Sequence, residues 1–313
     1  KNKNVALAMS RSVFFAVFVC LLCGIGIREF YVHAQSESCY LHPAALPIPS
    51  YAHQAVYVEQ KHSVYLFTGA PGVANASVYK WDLSATNSSF QQIGTAPTAT
   101  FYSYVNNAVL IDHLIYCIGM ADMTDKPWTT QTIHVFNTQN ETWSSQGSIP
   151  WARAVGCLTT NNTHIFLVDG VDDTFNSTQN RNATLMVYNI ANSAWSSITL
   201  GVVVERGWFG QYCTVLGTSL YVWRGVVDFY YSADGSSFAG YSEGLKVDLD
   251  TMQSFKLTLN HNATLRTFGM AVSYQGLSYE VGGLPLSTSI TTWDLETGSF
   301  ESSPNTMTLP TAV

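Results

Sequence analysis

The side chains best able to do chemistry fall in three segments, residues 120–132, 171–184 and 226–244. Together these hold Trp128, Phe229, Tyr230, Tyr231, Phe238 and Tyr241, interleaved with Asp122, Asp125, Asp172, Asp173, Asp228 and Asp234. An aromatic ring beside a carboxylate offers an apolar platform and a hydrogen-bond acceptor. That pairing suits a carbohydrate or a basic protein surface. Trp128, Tyr230, Tyr231, Asp125, Asp172 and Asp228 are therefore the candidate ligand-binding residues. Pro127 restricts the backbone before Trp128. If Phe229 to Tyr231 is extended, alternation turns Tyr230 away from its neighbours.

Catalytic chemistry is harder to assemble. No HExxH, GxSxG, GxGxxG or phosphate-binding loop occurs. The eight His residues are scattered without metal-ligand spacing, and His134 lies in a strand pattern that makes it structural. Ser232-Ala-Asp234-Gly235 reads as a hairpin turn. The expectation is a protein with no catalytic residue, no metal and no cofactor.

The elements that must position these segments form a repeat. Five apolar runs each end in Gly, at Gly69, Gly119, Gly170, Gly225 and Gly283, with intervals of 50, 51, 55 and 58 residues. A loop follows each Gly. Next comes a second apolar strand ending in Asp82, Asn137, Asn189, Asp248 or Asp294, and then a large aromatic, Phe90, Trp143, Trp195, Phe255 or Phe300. Gly at a strand end permits positive φ or close backbone approach. Asp or Asn opens a turn by accepting hydrogen bonds from its own backbone. The aromatic can cover the apolar face that one sheet alone leaves wet. Trp143 and Trp195 hold equivalent places, so both are expected between neighbouring sheets.

A period of about 50 residues with four short strands per unit is kelch spacing. Over residues 48–303 the chain resembles the kelch family. Arg153, Arg206 and Arg266 stand just before the next first strand, where many kelch repeats carry Arg. Only Gly282-Gly283 is a full Gly-Gly pair; Thr68, Ile118, Asp169 and Arg224 replace the first Gly elsewhere. The resemblance implies an all-β fold, a β-propeller of four-stranded antiparallel blades. Five blades are legible. Residues 309–313 resemble the lead-in to another first strand, so the expectation is a ring of about six or seven blades cut short, with closure by five as the alternative. The loops after each Gly emerge on one face of such a ring, where propellers commonly bind ligands. Some kelch propellers are copper-radical oxidases, but the required Cys–Tyr pair, second Tyr and two His cannot be assembled here.

Composition constrains partners and compartment. Of 313 residues, 11% are charged and 47% hydrophobic, against a usual charged share of about 25%. Residues 13–27 form an apolar run preceded by Arg11. The run suits a signal peptide and is short for a membrane span of about 20 residues. Val32 and Ala34 favour cleavage before Gln35; an uncleaved signal anchor is the alternative. Met9 reads as the true start. The organisation is thus leader and signal over 1–34, an extension over 35–47 and a propeller over 48–313. Residues 1–34 carry four basic side chains and one acidic one, which leaves ten basic against twenty acidic, a net charge of −10. Such a chain disfavours nucleic acid, and after cleavage it keeps no stable membrane span. Cys39, Cys117, Cys157 and Cys213 are disulfide candidates in an oxidising compartment. Buried thiols are the alternative. Seven sequons, at Asn75, Asn87, Asn140, Asn161, Asn176, Asn182 and Asn262, suggest a glycoprotein. The functional expectation is a secreted interaction module that recognises an extracellular protein or carbohydrate. The alternative is an extracellular propeller enzyme of the oxidase or sugar-processing kind.

Overall fold

Every apolar run of the repeat becomes the second strand of a four-stranded antiparallel sheet. The computed structural model describes residues 31–32, 39–40, 54–68, 76–85, 89–97, 107–119, 131–153, 156–170, 181–204, 210–223, 226–232, 235–240, 243–258, 270–274, 277–281, 290–295 and 299–301. A short pair, β1 (Tyr31–Val32) and β2 (Cys39–Tyr40), comes first. The first blade is β3 (Gln54–Val58), β4 (Ser63–Phe67), β5 (Ser77–Asp82) and β6 (Gln91–Thr95), with one 3₁₀ turn at Glu59–Lys61. The second is β7 (Ala108–Ile111), β8 (Leu114–Cys117), β9 (Thr132–Asn137) and β10 (Thr142–Ser148). The third is β11 (Cys157–Thr160), β12 (His164–Val168), β13 (Arg181–Asn189) and β14 (Ala194–Val204).

The fourth blade contains an insertion. Between β15 (Tyr212–Leu216) and β16 (Ser219–Trp223), and the outer strands β19 (Glu243–Asp248) and β20 (Ser254–Thr258), runs a separate hairpin of β17 (Val226–Ser232) and β18 (Gly235–Gly240). The fifth is β21 (Met270–Tyr274), β22 (Leu277–Val281), β23 (Ile290–Asp294) and β24 (Ser299–Glu301). All five sheets run in sequence order, and the first strands β3, β7, β11, β15 and β21 touch in succession. These innermost strands make the structure a β-propeller.

The side-chain period of two explains the seams. In the third blade Cys157, Phe166 and Val168 join a cluster with Cys213, Leu220 and Val222 of the fourth. Their neighbours Leu158, Ile165 and Leu167 pack instead with Val109, Ile111 and Tyr116 of the second. The third sheet is thus buried on both faces, so its inner strands read as unbroken apolar runs. Val56, Tyr65 and Phe67 meet Ile115, Cys117 and Phe136 at the seam of the first two blades.

The turn residues act as their chemistry demands. Asp82 Oδ1 accepts from Ser84 N at 2.9 Å, Asn137 Oδ1 from Gln139 N at 2.8 Å and Asn189 Oδ1 from Ala191 N at 3.0 Å. Asp248 Oδ1 accepts from Thr251 N at 2.8 Å. Four residues after the last three, Glu141, Ser193 and Met252 each take positive φ, 58°, 54° and 58°, which closes the turn.

The aromatic that follows obeys register. Trp143 lies opposite Phe136, Trp195 opposite Tyr188 and Phe300 opposite Trp293. Both Trp residues are half-buried between blades rather than fully covered. Trp143 packs on Phe67 of the first blade with ring centroids 5.5 Å apart. Phe255 departs from the expectation. It lies opposite Lys246, one residue out of step, with Ser254 opposite Val247. A shift of one residue moves a side chain to the other face of its sheet, and Phe255 is 49% exposed.

The cysteines divide. Cys157 and Cys213 form a disulfide between the innermost strands of the third and fourth blades. Cys117 does not pair: it is a buried thiol on the seam of the first two blades, held among Tyr65, Phe67 and Phe136. Burial away from water pushes its pKa upward, so it stays protonated. Cys39 lies in β2.

Candidate functional site

Antiparallel order gives the propeller two unlike ends. Tight turns joining first to second and third to fourth strands emerge at one end, the turn face. Connections from second to third strands, and from each blade to the next, emerge at the other, the loop face.

The loop face receives those ligand candidates of the sequence that lie among the described residues. Asp125, Trp128 and Asp172 lie outside the described residues. Asp228, Tyr230 and Tyr231 lie in β17 of the inserted hairpin, opposite Ala239, Ser237 and Ser236. The Phe229–Tyr231 run is therefore extended. Ser232 faces Gly235 in the hairpin register, while Ala233 and Asp234 lie outside the described residues. The loop expected over 171–184 is shorter than the sequence suggested, because β13 already begins at Arg181 and pairs with Val204 of the long β14.

Where the first strands of the first, second and fourth blades start on this face, the polar side chains Gln54, Asn107 and Gln211 are buried, at most 5% exposed, and Asp169 is buried just after β12. Gln54 Oε1 accepts the Asn107 N–H at 3.1 Å, which ties the first blade to the second. Gln211 Nε2 donates to Val168 O at 2.7 Å, which ties the fourth to the third. Asn107 Nδ2 donates to Gly119 O. The amide oxygens Asn107 Oδ1 and Gln211 Oε1 are buried without a protein partner. The same position in the third blade is Gly156, and a Cβ there would stand 2.7 Å from Val168 O, too close to exist.

One residue escaped the sequence reading. Trp151, 47% exposed, lies in the connection from β10 to β11 on the loop face. That connection is held between both roots of the 120–131 loop. Ile149 N donates to Gln131 O at 2.8 Å, and Arg153 O approaches within 3.3 Å of where a Gly119 Cβ would be. Gly119 itself has φ +70°. A usable signal was present: Trp151 lies outside the register of the seam aromatics, so it has no core place to fill.

The turn face carries two sequons in the described residues. Asn140 Oδ1 accepts from the Thr142 hydroxyl at 2.7 Å, and Asn161 Oδ1 from the Thr163 hydroxyl at 2.9 Å. Asn182 lies in β13; Asn75, Asn87, Asn176 and Asn262 lie outside the described residues, as do Arg206 and Arg266. His134 is buried against Trp143, and desolvation lowers its pKa, so it stays neutral. Across the seam of the first two blades Lys80 Nζ meets Glu141 Oε1 at 2.8 Å. Lys61 Nζ donates to Thr138 O in the same place. The Glu141 hydrogen bond raises the Lys80 pKa. Among the described residues no group of three His, Cys, Asp or Glu is placed to hold a metal ion. No helix there is long and apolar enough to cross a membrane.

No family model matches the chain, and no curated protein matches its sequence. Among solved structures, one titled "Structure of YjhT" is similar, with a TM-score of 0.59 and 16% identity over 79% of this chain and 83% of that one. At that identity the likeness establishes the architecture alone.

Proposed function

We propose that this chain is a secreted, kelch-type glycoprotein that works by recognition through its loop face, its partner an extracellular protein or carbohydrate. The observation that carries the reading is the β17–β18 hairpin, an ordered insertion separate from the blade sheet that bears Asp228, Tyr230 and Tyr231. Ordering such a segment costs conformational entropy without extending the blade, and a binding role supplies the compensation. Secretion is supported by the Cys157–Cys213 bridge, since disulfides persist in oxidising compartments. Glycosylation is supported by the exposed Asn140 turn and its sequon. The kelch assignment rests on the repeat period and the propeller architecture together.

The test is expression of the full chain in a secretory eukaryotic host, followed by glycosidase digestion and a screen against extracellular proteins and printed oligosaccharides. A secreted product that shifts on digestion, and whose partner is lost on Tyr230→Ala with unchanged melting, supports the reading. A product retained in membranes with no shift, or binding indifferent to every loop-face change, removes it.

A further inference from the structure

We infer that Asn140 and Asn161 are occupied N-glycosylation sites whose glycans close the turn face of the second and third blades to a protein partner. The inference rests on the secreted-glycoprotein reading above and adds to it the sites, the face and the consequence.

Asn137, Asn140, Asn161, Asn162, Asn189 and Asn192 all stand at or in tight turns of these two blades. Of them only Asn140 and Asn161 have a Thr two residues on. The two take the same local form. Asn140 Oδ1 accepts from Thr142 N at 3.3 Å and from its hydroxyl at 2.7 Å. Asn161 Oδ1 accepts from Thr163 N at 3.1 Å and from its hydroxyl at 2.9 Å. The residue between, Glu141 or Asn162, has positive φ, 58° or 70°. The side-chain oxygen therefore serves the turn. No hydrogen bond among the described residues uses either Nδ2, so a sugar on that nitrogen costs the fold no contact. Asn189 differs, because its Nδ2 meets His164 Nε2 at 3.1 Å. Asn182 differs too, as a ladder residue opposite Val203 rather than a turn residue.

The turns are also accessible and fixed. Asn140 and Thr142 are exposed; Asn161 is half-buried beside the exposed Asn162 and Thr163. Glu141 holds the first turn to Lys80 of the neighbouring blade. Modification needs a lipid-linked diphospho-oligosaccharide and the transferase of a secretory host. Asn Nδ2 bonds to the anomeric carbon, the bond from that carbon to diphosphate breaks, the lipid diphosphate leaves and the amide gives up one proton. Each product is a bulky, hydrated chain at the surface. Asn140 lies in the β9–β10 turn and Asn161 in the β11–β12 turn, so the two chains rise from one face on adjacent blades.

The full chain from a secretory eukaryotic host is deglycosylated by an amidase in heavy-oxygen water, which leaves a labelled Asp at each occupied Asn, and its peptides are weighed. Label at 140 and 161 is expected in most molecules. Thr142→Ala and Thr163→Ala should each lose one glycan while keeping the Asn. Ala194→Thr should gain one at Asn192, whose Oδ1 already accepts from Ala194 N at 3.1 Å with Ser193 at φ 54°. Hydroxyl-radical labelling of His113 and His164, beside these turns, should rise on deglycosylation, with Trp151 on the loop face unchanged. Equal labelling of the two His residues overturns the shielding. A secreted chain glycosylated only at other sequons overturns these sites and leaves the glycoprotein reading standing. A chain neither secreted nor glycosylated removes both.

Discussion

Two seams of the propeller do the same job with different chemistry. Between the third and fourth blades the contact is mostly aliphatic, Val168, Leu185, Leu220, Val222 and Leu245 around the single ring of Phe166, and it is closed by the Cys157–Cys213 bond at the innermost strands. Between the first and second blades no disulfide crosses among the described residues. There the core is aromatic, with Phe67, Phe136 and Trp143 packed at centroid distances of 5.1–5.7 Å. Around it lie the buried His134 and the Lys80–Glu141 pair. The repeat dictates that a seam exists and which strand positions face it. It does not dictate how the seam is closed. One seam should respond to reductant, the other to pH and salt.

The largest expected effect comes from cutting the covalent seam. The bridge encloses 56 residues of separation, and the loop-entropy model assigns such a loop about 4 kcal/mol. Reduction, or Cys157→Ser with Cys213→Ser, should lower the melting temperature markedly. A reduced protein melting like the oxidised one would show that the aliphatic cluster alone holds this seam.

Next come the aromatics. Trp143→Ala should cost about 3 kcal/mol, because it removes a large ring from an inter-blade core. Trp195→Ala, at the next seam, should cost a similar amount. Phe255→Ala should change stability by no more than about 0.5 kcal/mol, since its ring faces solvent. Denaturant unfolding of the three side by side is the check; equal losses would erase the register distinction drawn here.

The third test is pH. Burial holds the His134 pKa below its ordinary 6.5. As pH falls below that value, the unfolded chain takes up a proton that the folded chain refuses. Stability is therefore full above that range and declines on acidification toward the folded pKa. His134→Gln should flatten the decline between neutral pH and about 5. A slope unchanged by the substitution would point to other groups.

The smallest effect belongs to the ion pair. Lys80 and Glu141 are 28% and 30% exposed, so Glu141→Gln should cost about 0.5 kcal/mol, less in high salt. The seam of the third and fourth blades should show no comparable salt response when the same melts are repeated.

Much of this was legible in advance because it depends on local rules. Apolar runs ending in Gly at intervals of 50 to 58 residues marked the buried strands, and the Asp or Asn at each third-strand end announced its turn. Asn137, Asn189 and Asp248 then accept the expected backbone N–H groups. Phe255 was misjudged for a physical reason. It follows its Asp at seven residues where Trp143 and Trp195 follow at six. One residue decides which face of the sheet a side chain occupies, and only strand pairing shows how a longer turn uses its extra residue. Trp151 was passed over because a connecting segment carries no periodicity to interpret.

The sequence by itself determined the blades: their number of strands, their order, their turns and the apolar runs that form their inner strands. Those features arise from neighbours along the chain, where backbone geometry is short-ranged and repetitive. Only the tertiary structure decided which cysteines meet, that Cys117 remains a thiol, that Lys80 finds Glu141, and that residues 149–153 lie between both roots of the 120–131 loop. Each of these joins residues from different blades or from distant strands and loops. Such contacts depend on how sheets pack around an axis, and spacing along one chain does not encode that distance.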